Sequence, residues 1–361
     1  MNQYNMLESA LSKKVYQGIL DHYKNLDVTK YQDPVNLVID HEGEFDEFDI
    51  RLGAIAFGND YKMFFWFQAS FEDETKSNGT CLIISIKYET IQIYKDVNTF
   101  IKDFEEILIN REAIKREFLK QKSTYHQIKV IHDWLVNNNT YTIDGEVSHT
   151  PAGALVKNRG PVCEAYAEAF HMVSVYLNLL VSYGSGLATN QYGSDYHAWN
   201  YININGLCYF VDVTWDDPKD GEPTIIYDYF LKLVPSSHEP SFDLPAPSPF
   251  ATKAYPTTNL AEFEVEGNNY YYIKDGNPVI GYTNLKVKDS SENVVVTYYK
   301  KDGTKLNQAP SEVGKYYLTV ATENSSENTG SLNLYFEIVD ELYTVSFLGF
   351  NDEVLKNWIS S

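Results

Sequence analysis

Asn205-Gly206 lies between two strand-like runs, Tyr196–Ile204 and Leu207–Trp215. Asn-Gly in that setting predicts a two-residue hairpin, because both turn residues must adopt positive φ. Such a turn leaves little freedom in register. If Ile204 pairs with Leu207, Trp199 lies opposite Asp212 and His197 opposite Thr214. Opposed residues share a face and faces alternate with period two, so His197 and Asp212 project the same way. They are diagonal neighbours, about 7–8 Å apart at the backbone and within side-chain reach. A slip of one residue would put them on opposite faces. A carboxylate in that position accepts from one ring nitrogen, fixes the tautomer and leaves the other nitrogen for a third group.

A candidate for the third group lies upstream. Between Gly153 and Leu180 the pattern changes at Pro161. Gly153 and Gly160 suit turns and close backbone approach. Beyond Pro161, Val162, Tyr166, Phe170, Val173, Leu177 and Leu180 recur at helical spacing. Proline is tolerated at or just before a first helical turn. Cys163 is therefore expected in that turn, where unpaired N–H groups and the helix dipole favour an anion. A thiol so placed is a candidate nucleophile, whereas a buried cysteine elsewhere behaves as a small hydrophobe. Thiol, imidazole and carboxylate are the parts of a nucleophilic acyl-transfer site.

Three segments carry a family resemblance. Pro161-Val-Cys-Glu-Ala-Tyr-Ala-Glu-Ala-Phe170, His197-Ala-Trp-Asn200 and Val211-Asp-Val-Thr-Trp-Asp-Asp-Pro218 resemble the bacterial transglutaminase-like family, within the papain-like superfamily of thiol enzymes. Gln127–Val136 resembles the helix that commonly opens that core, so the resemblance spans about residues 120–235. It implies Cys163 as nucleophile, His197 as general base and acid, and Asp212 as the orienting carboxylate. Ala165 departs from the pattern, since many relatives carry glycine there, but alanine is conservative in a helix.

Tyr141, Glu164, Tyr166, Trp199 and Asn200 are the candidates for substrate or oxyanion contacts. Trp199 and Trp215 read first as packing on the hairpin, Tyr166 fits the core face of its helix equally well, and Asn200 suits a structural hydrogen bond. For an oxyanion, the Cys163 N–H at a helix start is a better donor than the Tyr141 hydroxyl.

Composition removes several rival functions. The chain has 29 basic and 50 acidic residues, a formal charge of −21, the wrong sign for tracking phosphates, so no nucleic acid partner is expected. It has no P-loop, Rossmann glycine pattern or zincin motif. His126, His132, His149 and His171 lack partners at zinc spacing, so neither metal nor cofactor is expected. Asp216–Gly221 is read as a solvated turn rather than a calcium loop, because Pro218 occupies the third ligand position and Tyr227 the twelfth. Cys81 and Cys208 form no disulfide framework with Cys163, and Cys208 shares the face of Phe210 as packed filler. No membrane span is present. The start is an amphipathic pattern of Leu7, Leu11, Val15, Ile19 and Tyr23.

The expected fold class is α+β, a papain-like, transglutaminase-like catalytic core with an N-terminal α+β region and a C-terminal all-β sandwich. Residues 1–112 form the N-terminal region, packing on the core, with strands near Val35–Ile39, Met63–Ser70 and Cys81–Tyr88 and a helix from about Val97 to Lys120. The core occupies 113–236. Six of the 13 prolines fall between Pro235 and Pro256, marking 237–258 as an extended linker. In 259–340, short strands at Phe263–Val265, Tyr270–Ile273, Asn293–Tyr299, Lys315–Thr322 and Ser331–Val339 predict a sandwich. Asn293–Gly303 and Glu312–Val320 resemble bacterial immunoglobulin-like surface modules, and Tyr343–Lys356 in 341–361 resembles the first hairpin of an internalin-type repeat, so the chain is expected to be a piece of a longer modular protein. The run Tyr270-Tyr-Tyr-Ile273 is read as a half-buried strand rather than a sugar-stacking patch.

The expected function is thiol-dependent acyl transfer on peptide or amide bonds through a thioester, leaning to a cysteine peptidase or amidase. The alternatives are a protein-glutamine transglutaminase and a catalytically silent surface binding or adhesion module. The expected partner is a protein or peptide substrate, cell-wall peptides among them, and the expected location is extracellular or cell-surface, with the cytoplasm as alternative. No oligomeric state follows from the sequence.

Overall fold

A computed structural model describes residues 3–24, 35–40, 46–62, 69–70, 76–77, 81–88, 94, 97–143, 145, 147–217, 225–241, 247, 249–323, 329–341, 343–348 and 354–360. The chain divides into two compact units, Met1–Leu119 with Ile128–Tyr255, and Lys120–Gln127 with Pro256–Ser361.

The first unit opens with α1 (Ala10–Lys24). Leu11, Val15, Ile19 and Tyr23 are buried on one stripe, as their spacing predicts, and Leu7 joins the same cluster. After β1 (Val35–Asp40) comes α2 (Glu47–Asp60), which the sequence reading missed. Its local signals are an Asp46 cap accepting from the Phe48 N–H at 2.8 Å, with Glu47 and Asp49 in the first turn. Gly53 hides the helix from a propensity reading, yet it is what lets α2 reach α1. A Cβ there would lie 2.4 Å from the Ser12 carbonyl oxygen. The strands β2 (Ala69–Ser70), β3 (Lys76–Ser77) and β4 (Cys81–Tyr88) follow, β4 pairing antiparallel with β1, β2 and β3. Of the expected strand Met63–Ser70, residues 63–68 lie outside the described residues.

Four helices then lead to the central sheet: α3 (Val97–Phe118), α4 (Thr124–Asn138), α5 (Pro151–Leu155) and α6 (Cys163–Tyr176). The sheet contains β5 (Leu180–Asn190), β6 (Gly193–Ile204), β7 (Leu207–Val211), β8 (Phe230–Lys232) and β9 (His238–Pro240), in the order β8-β7-β6-β5-β9. A single helical turn, α7 (Val213–Asp216), follows β7. All pairings in this sheet are antiparallel. The β6–β7 turn has φ of 55° at Asn205 and 86° at Gly206, and Ile204 pairs with Leu207. Pairing stops at Asn200–Val211, so the expected juxtaposition of His197 with Thr214 does not form. Asp212 instead turns the chain into α7.

His238–Pro240 fall within the stretch expected to be linker, but as β9 they pair with Gly186–Ala188 of β5. Farther along the same stretch, the Cys208 N–H donates to the Pro249 carbonyl and the Ala251 N–H to the Cys208 carbonyl, both at 3.0 Å. Prolines without donors suit such an edge. The described parts of the proline-rich run, at 238–240 and 249–251, therefore lie against the sheet. Within the first unit the Asn110 side chain donates to the Leu155 carbonyl at 2.8 Å, and Arg159 forms an ion pair with Asp103 at 2.7 Å. A third link is an ion pair of 2.9 Å between Lys62 and Glu168 on α6.

In the second unit, β10 (Phe263–Glu266) pairs with β12 (Asn284–Val287). β11 (Tyr271–Ile273), β13 (Val294–Lys300), β14 (Gly314–Thr322) and β15 (Ser331–Val339) form a four-stranded sheet in the order β11-β15-β14-β13. Phe263 and Val287 share a buried cluster with Leu318, Val320, Phe336 and Ile338, which gives this region the two-layered character of a β-sandwich. β12 was not anticipated. Tyr272 packs on Phe336 while Tyr270 is half-exposed outside the strand. β16 (Tyr343–Leu348) and β17 (Val354–Ser360) form a hairpin. Among the described residues no helix is long and apolar enough to cross a membrane.

Candidate active site

The head of α6 is set by its surroundings. The Val162 N–H donates to the Ser148 carbonyl and the Thr142 N–H to the Pro161 carbonyl, both at 2.9 Å. These bonds hold the incoming chain extended up to Val162, which caps the helix with no side-chain hydrogen bond. Cys163 is the first helical residue, part-exposed, in a turn whose N–H groups have no side-chain cap. Small residues make room for this arrangement. A Cβ on Gly153 of α5 would lie 3.2 Å from that of Ala165 and 2.9 Å from the Val147 carbonyl oxygen.

His197, on β6, faces this helix start. Its Nε2 is 2.8 Å from Asp212 Oδ2, and its ring is close enough to the Cys163 side chain for the two to interact electrostatically. With Nε2 on the carboxylate, Nδ1 is the nitrogen available to sulfur. Asp212 is fully buried, and its other oxygen, Oδ1, accepts from the Trp215 N–H at 3.2 Å as the cap of α7. Burial acts most strongly on His197 and opposes its charge. The charge and hydrogen bond of Asp212, with those of Cys163, nevertheless raise it from 6.5 to about 10. Burial likewise opposes ionisation of Asp212, yet His197 and then His238 hold it below the ordinary carboxylate value.

His238 was not found from sequence. Its Nε2 lies 3.1 Å from Asp212 Oδ2, the oxygen that His197 also uses. His197, Asp212 and His238 hold three potential metal-ligand atoms within 4.8 Å of one another. Hydrogen bonding to the shared oxygen already accounts for both Nε2 atoms.

The remaining candidates are spread around this centre. Tyr141 is 47% exposed, and its hydroxyl lies near Cys163. Glu164 is part-exposed, with His149 Nδ1 3.1 Å from its carboxylate. Tyr166 is buried, and its hydroxyl donates to Asp217, whose carboxyl is pushed up to about 6 chiefly by burial. Trp199 is buried against Phe210, Tyr201 and His238. Asn200 is also buried and ties β6 to α6 by donating to the Ala167 carbonyl at 3.0 Å. Asp216 corrects the solvated-turn reading. It is fully buried, 3.2 Å from His132 Nε2, and accepts from the Tyr229 N–H at 2.9 Å. Residues 218–221 of that turn lie outside the described residues.

Residues 112–215 match the family model described as the transglutaminase-like superfamily. Among solved structures the chain is similar to one described as a TGase, at 15% identity over 61% of this chain and 63% of that one, with a TM-score of 0.30. It is also similar to a proposed cysteine protease from Cytophaga hutchinsonii, at 19% identity over 41% of this chain and 62% of that one, with a TM-score of 0.27. The chain thus spans less than two thirds of either structure. No curated protein matches it. The stretch that matches the transglutaminase-like superfamily model, 112–215, holds Cys163, His197 and Asp212.

Proposed function

We propose that this protein is a thiol-dependent acyl-transfer enzyme acting on peptide or amide bonds, with Cys163 as nucleophile, His197 as acid and base, and Asp212 as its orienting carboxylate. One observation carries the reading: the His197 ring, whose proton affinity is raised by both Asp212 and Cys163, holds its Nε2 2.8 Å from the buried Asp212 carboxylate. Proton transfer from Cys163 to Nδ1 gives a thiolate–imidazolium pair. The thiolate attacks the carbonyl carbon, and the oxyanion meets the N–H groups at the start of α6, with the Tyr141 hydroxyl alongside. The imidazolium protonates the departing nitrogen, leaving a thioester. Water, deprotonated by His197, then releases the acid and restores the thiol. Hydrolysis requires no second organic substrate, which favours a peptidase or amidase. An amine would instead give a new amide, the second reading, supported by the family description of the core. The substrate would be a protein or peptide, cell-wall peptides included, and the C-terminal sandwich suits attachment outside the cell.

The test is alkylation by iodoacetamide, read for each cysteine by mass spectrometry. Cys163 should label much faster than Cys81 and Cys208 at pH 6–7. Equal rates at all three would remove the enzyme reading. Peptides offered with and without a primary amine separate the two fates: cleaved acids report hydrolysis and amine adducts report transfer, both lost in Cys163→Ala.

A further inference from the structure

Asp212 Oδ2 serves two histidines, and only one of them faces the thiol. The second, His238, has a fully enclosed side chain. An imidazole removed from water is costly unless both nitrogens find partners. Both do: Nδ1 is 3.0 Å from Ser237 Oγ, and Nε2 is 3.1 Å from Asp212 Oδ2. The Ser237 hydroxyl can donate to Nδ1, which leaves the proton on Nε2 to be donated to the carboxylate.

The ring has no room to turn away. Its centroid is 4.5 Å from that of Trp215, 4.8 Å from Phe210 and 5.0 Å from Trp199, all in edge-on geometry. The backbone beneath it is equally constrained, because β9 pairs with Gly186–Ala188. A Cβ on Gly186 would come within 2.2 Å of the Glu239 carbonyl oxygen, so only glycine lets the strand approach this closely. Asp212 consequently receives three donors, with His197 and His238 on Oδ2 and the Trp215 N–H on Oδ1. With His197 and the Trp215 N–H alone, the carboxylate could tilt about its Cβ–Cγ bond. The third donor, arriving from another strand, removes that freedom.

We propose that His238 is a positioning residue for the acyl-transfer site: it donates Nε2–H to Asp212 and locks the carboxylate in the orientation that aims His197 at Cys163. The proposal rests on the acyl-transfer reading above. It also assigns a role to β9, which lies beyond the matched core.

The test uses the full chain and the Cys163 alkylation rate, with Cys208 as internal reference. His238→Phe fills the aromatic cage without a donor, whereas His238→Gln restores an N–H. In His238→Phe the Cys163 rate should fall on the order of ten-fold, as for loss of a hydrogen bond to a charged group. His238→Gln should recover most of it. A folded His238→Phe protein with the wild-type rate overturns the proposal, and so does a Gln variant no better than Phe, since packing alone would then explain the loss. Should the Phe variant fail to fold, histidine nitrogen NMR on the wild type decides. The His238 ring, assigned through its contacts with Trp199 and Trp215, should be protonated at Nε2, and a bare Nε2 overturns the proposal. If wild-type Cys163 is no faster than Cys208, the acyl-transfer reading itself has failed, which these arms distinguish.

Discussion

Replacing Asp212 with asparagine keeps the size of the side chain and removes its charge. In the native protein His197 stands at about 10 rather than 6.5, although burial opposes its proton. At 1.36 kcal/mol per pH unit this difference represents about 5 kcal/mol. Asp212 and Cys163 share that energy. If Asp212 supplies half, its loss weakens the imidazolium by roughly 10²-fold. Cys163 alkylation in Asp212→Asn should therefore fall on the order of 10²-fold between pH 6 and 8. The gap should close towards pH 10, where native His197 also loses its proton. Stability follows the same sign. A histidine whose folded value is raised contributes fully below 6.5 and loses that contribution as pH rises through about 10. Urea midpoints of the native protein should decline across that window, and those of Asp212→Asn should decline less. Near-ultraviolet circular dichroism from Trp199 and Trp215 checks that the variant is folded. A folded Asp212→Asn protein with native alkylation at pH 7 would refute the ion-pair argument.

Other perturbations probe the supports. Gly186→Ala should drive β9 off β5, lowering both the melting temperature and Cys163 reactivity, because the new methyl meets the Glu239 carbonyl. Lys62→Met leaves the Glu168 carboxylate buried without its partner and should destabilise the fold by about 3 kcal/mol at pH 8. That loss should shrink at pH 4, since burial already raises the Glu168 value, and calorimetry at the two pH values measures it. Gly206→Ala at φ 86° has open space around the new Cβ, so only backbone strain should appear, about 1 kcal/mol by urea denaturation.

The parts of the site that were legible in the sequence are those set by local rules. Asn205-Gly206 dictated the turn, and the turn dictated the β6–β7 register at whose end Asp212 meets His197. Pro161 marked where extended chain gives way to helix, and so put Cys163 in the first turn. What was missed depends on pairing between distant segments. His238 stands 26 residues beyond Asp212, on a three-residue strand whose partner, β5, lies 50 residues back in the chain. No periodicity can declare itself over three residues, and the prolines around them suggested a tether. Asp216 misled for a related reason. An Asp-Asp-Pro run has the composition of a solvated turn, and only the long-range partner His132 shows that its first member is enclosed. α2 was obscured by Gly53, a residue poor for helix propensity yet required for contact with α1.

The order in which the chain is made gives β9 a further meaning. During synthesis the thiol, the first imidazole and the carboxylate all emerge before His238, and the sheet edge that receives β9 is open until then. Contacts between distant segments form late, because loop closure must come first. A nascent or truncated chain ending near residue 215 would carry the whole matched core and still lack the clamp on Asp212. Under this reading full Cys163 reactivity arrives last, after Cys163, His197 and Asp212 have all been made. Shortening the chain to the matched stretch would keep Cys163, His197 and Asp212 and lose the His238 contact to Asp212.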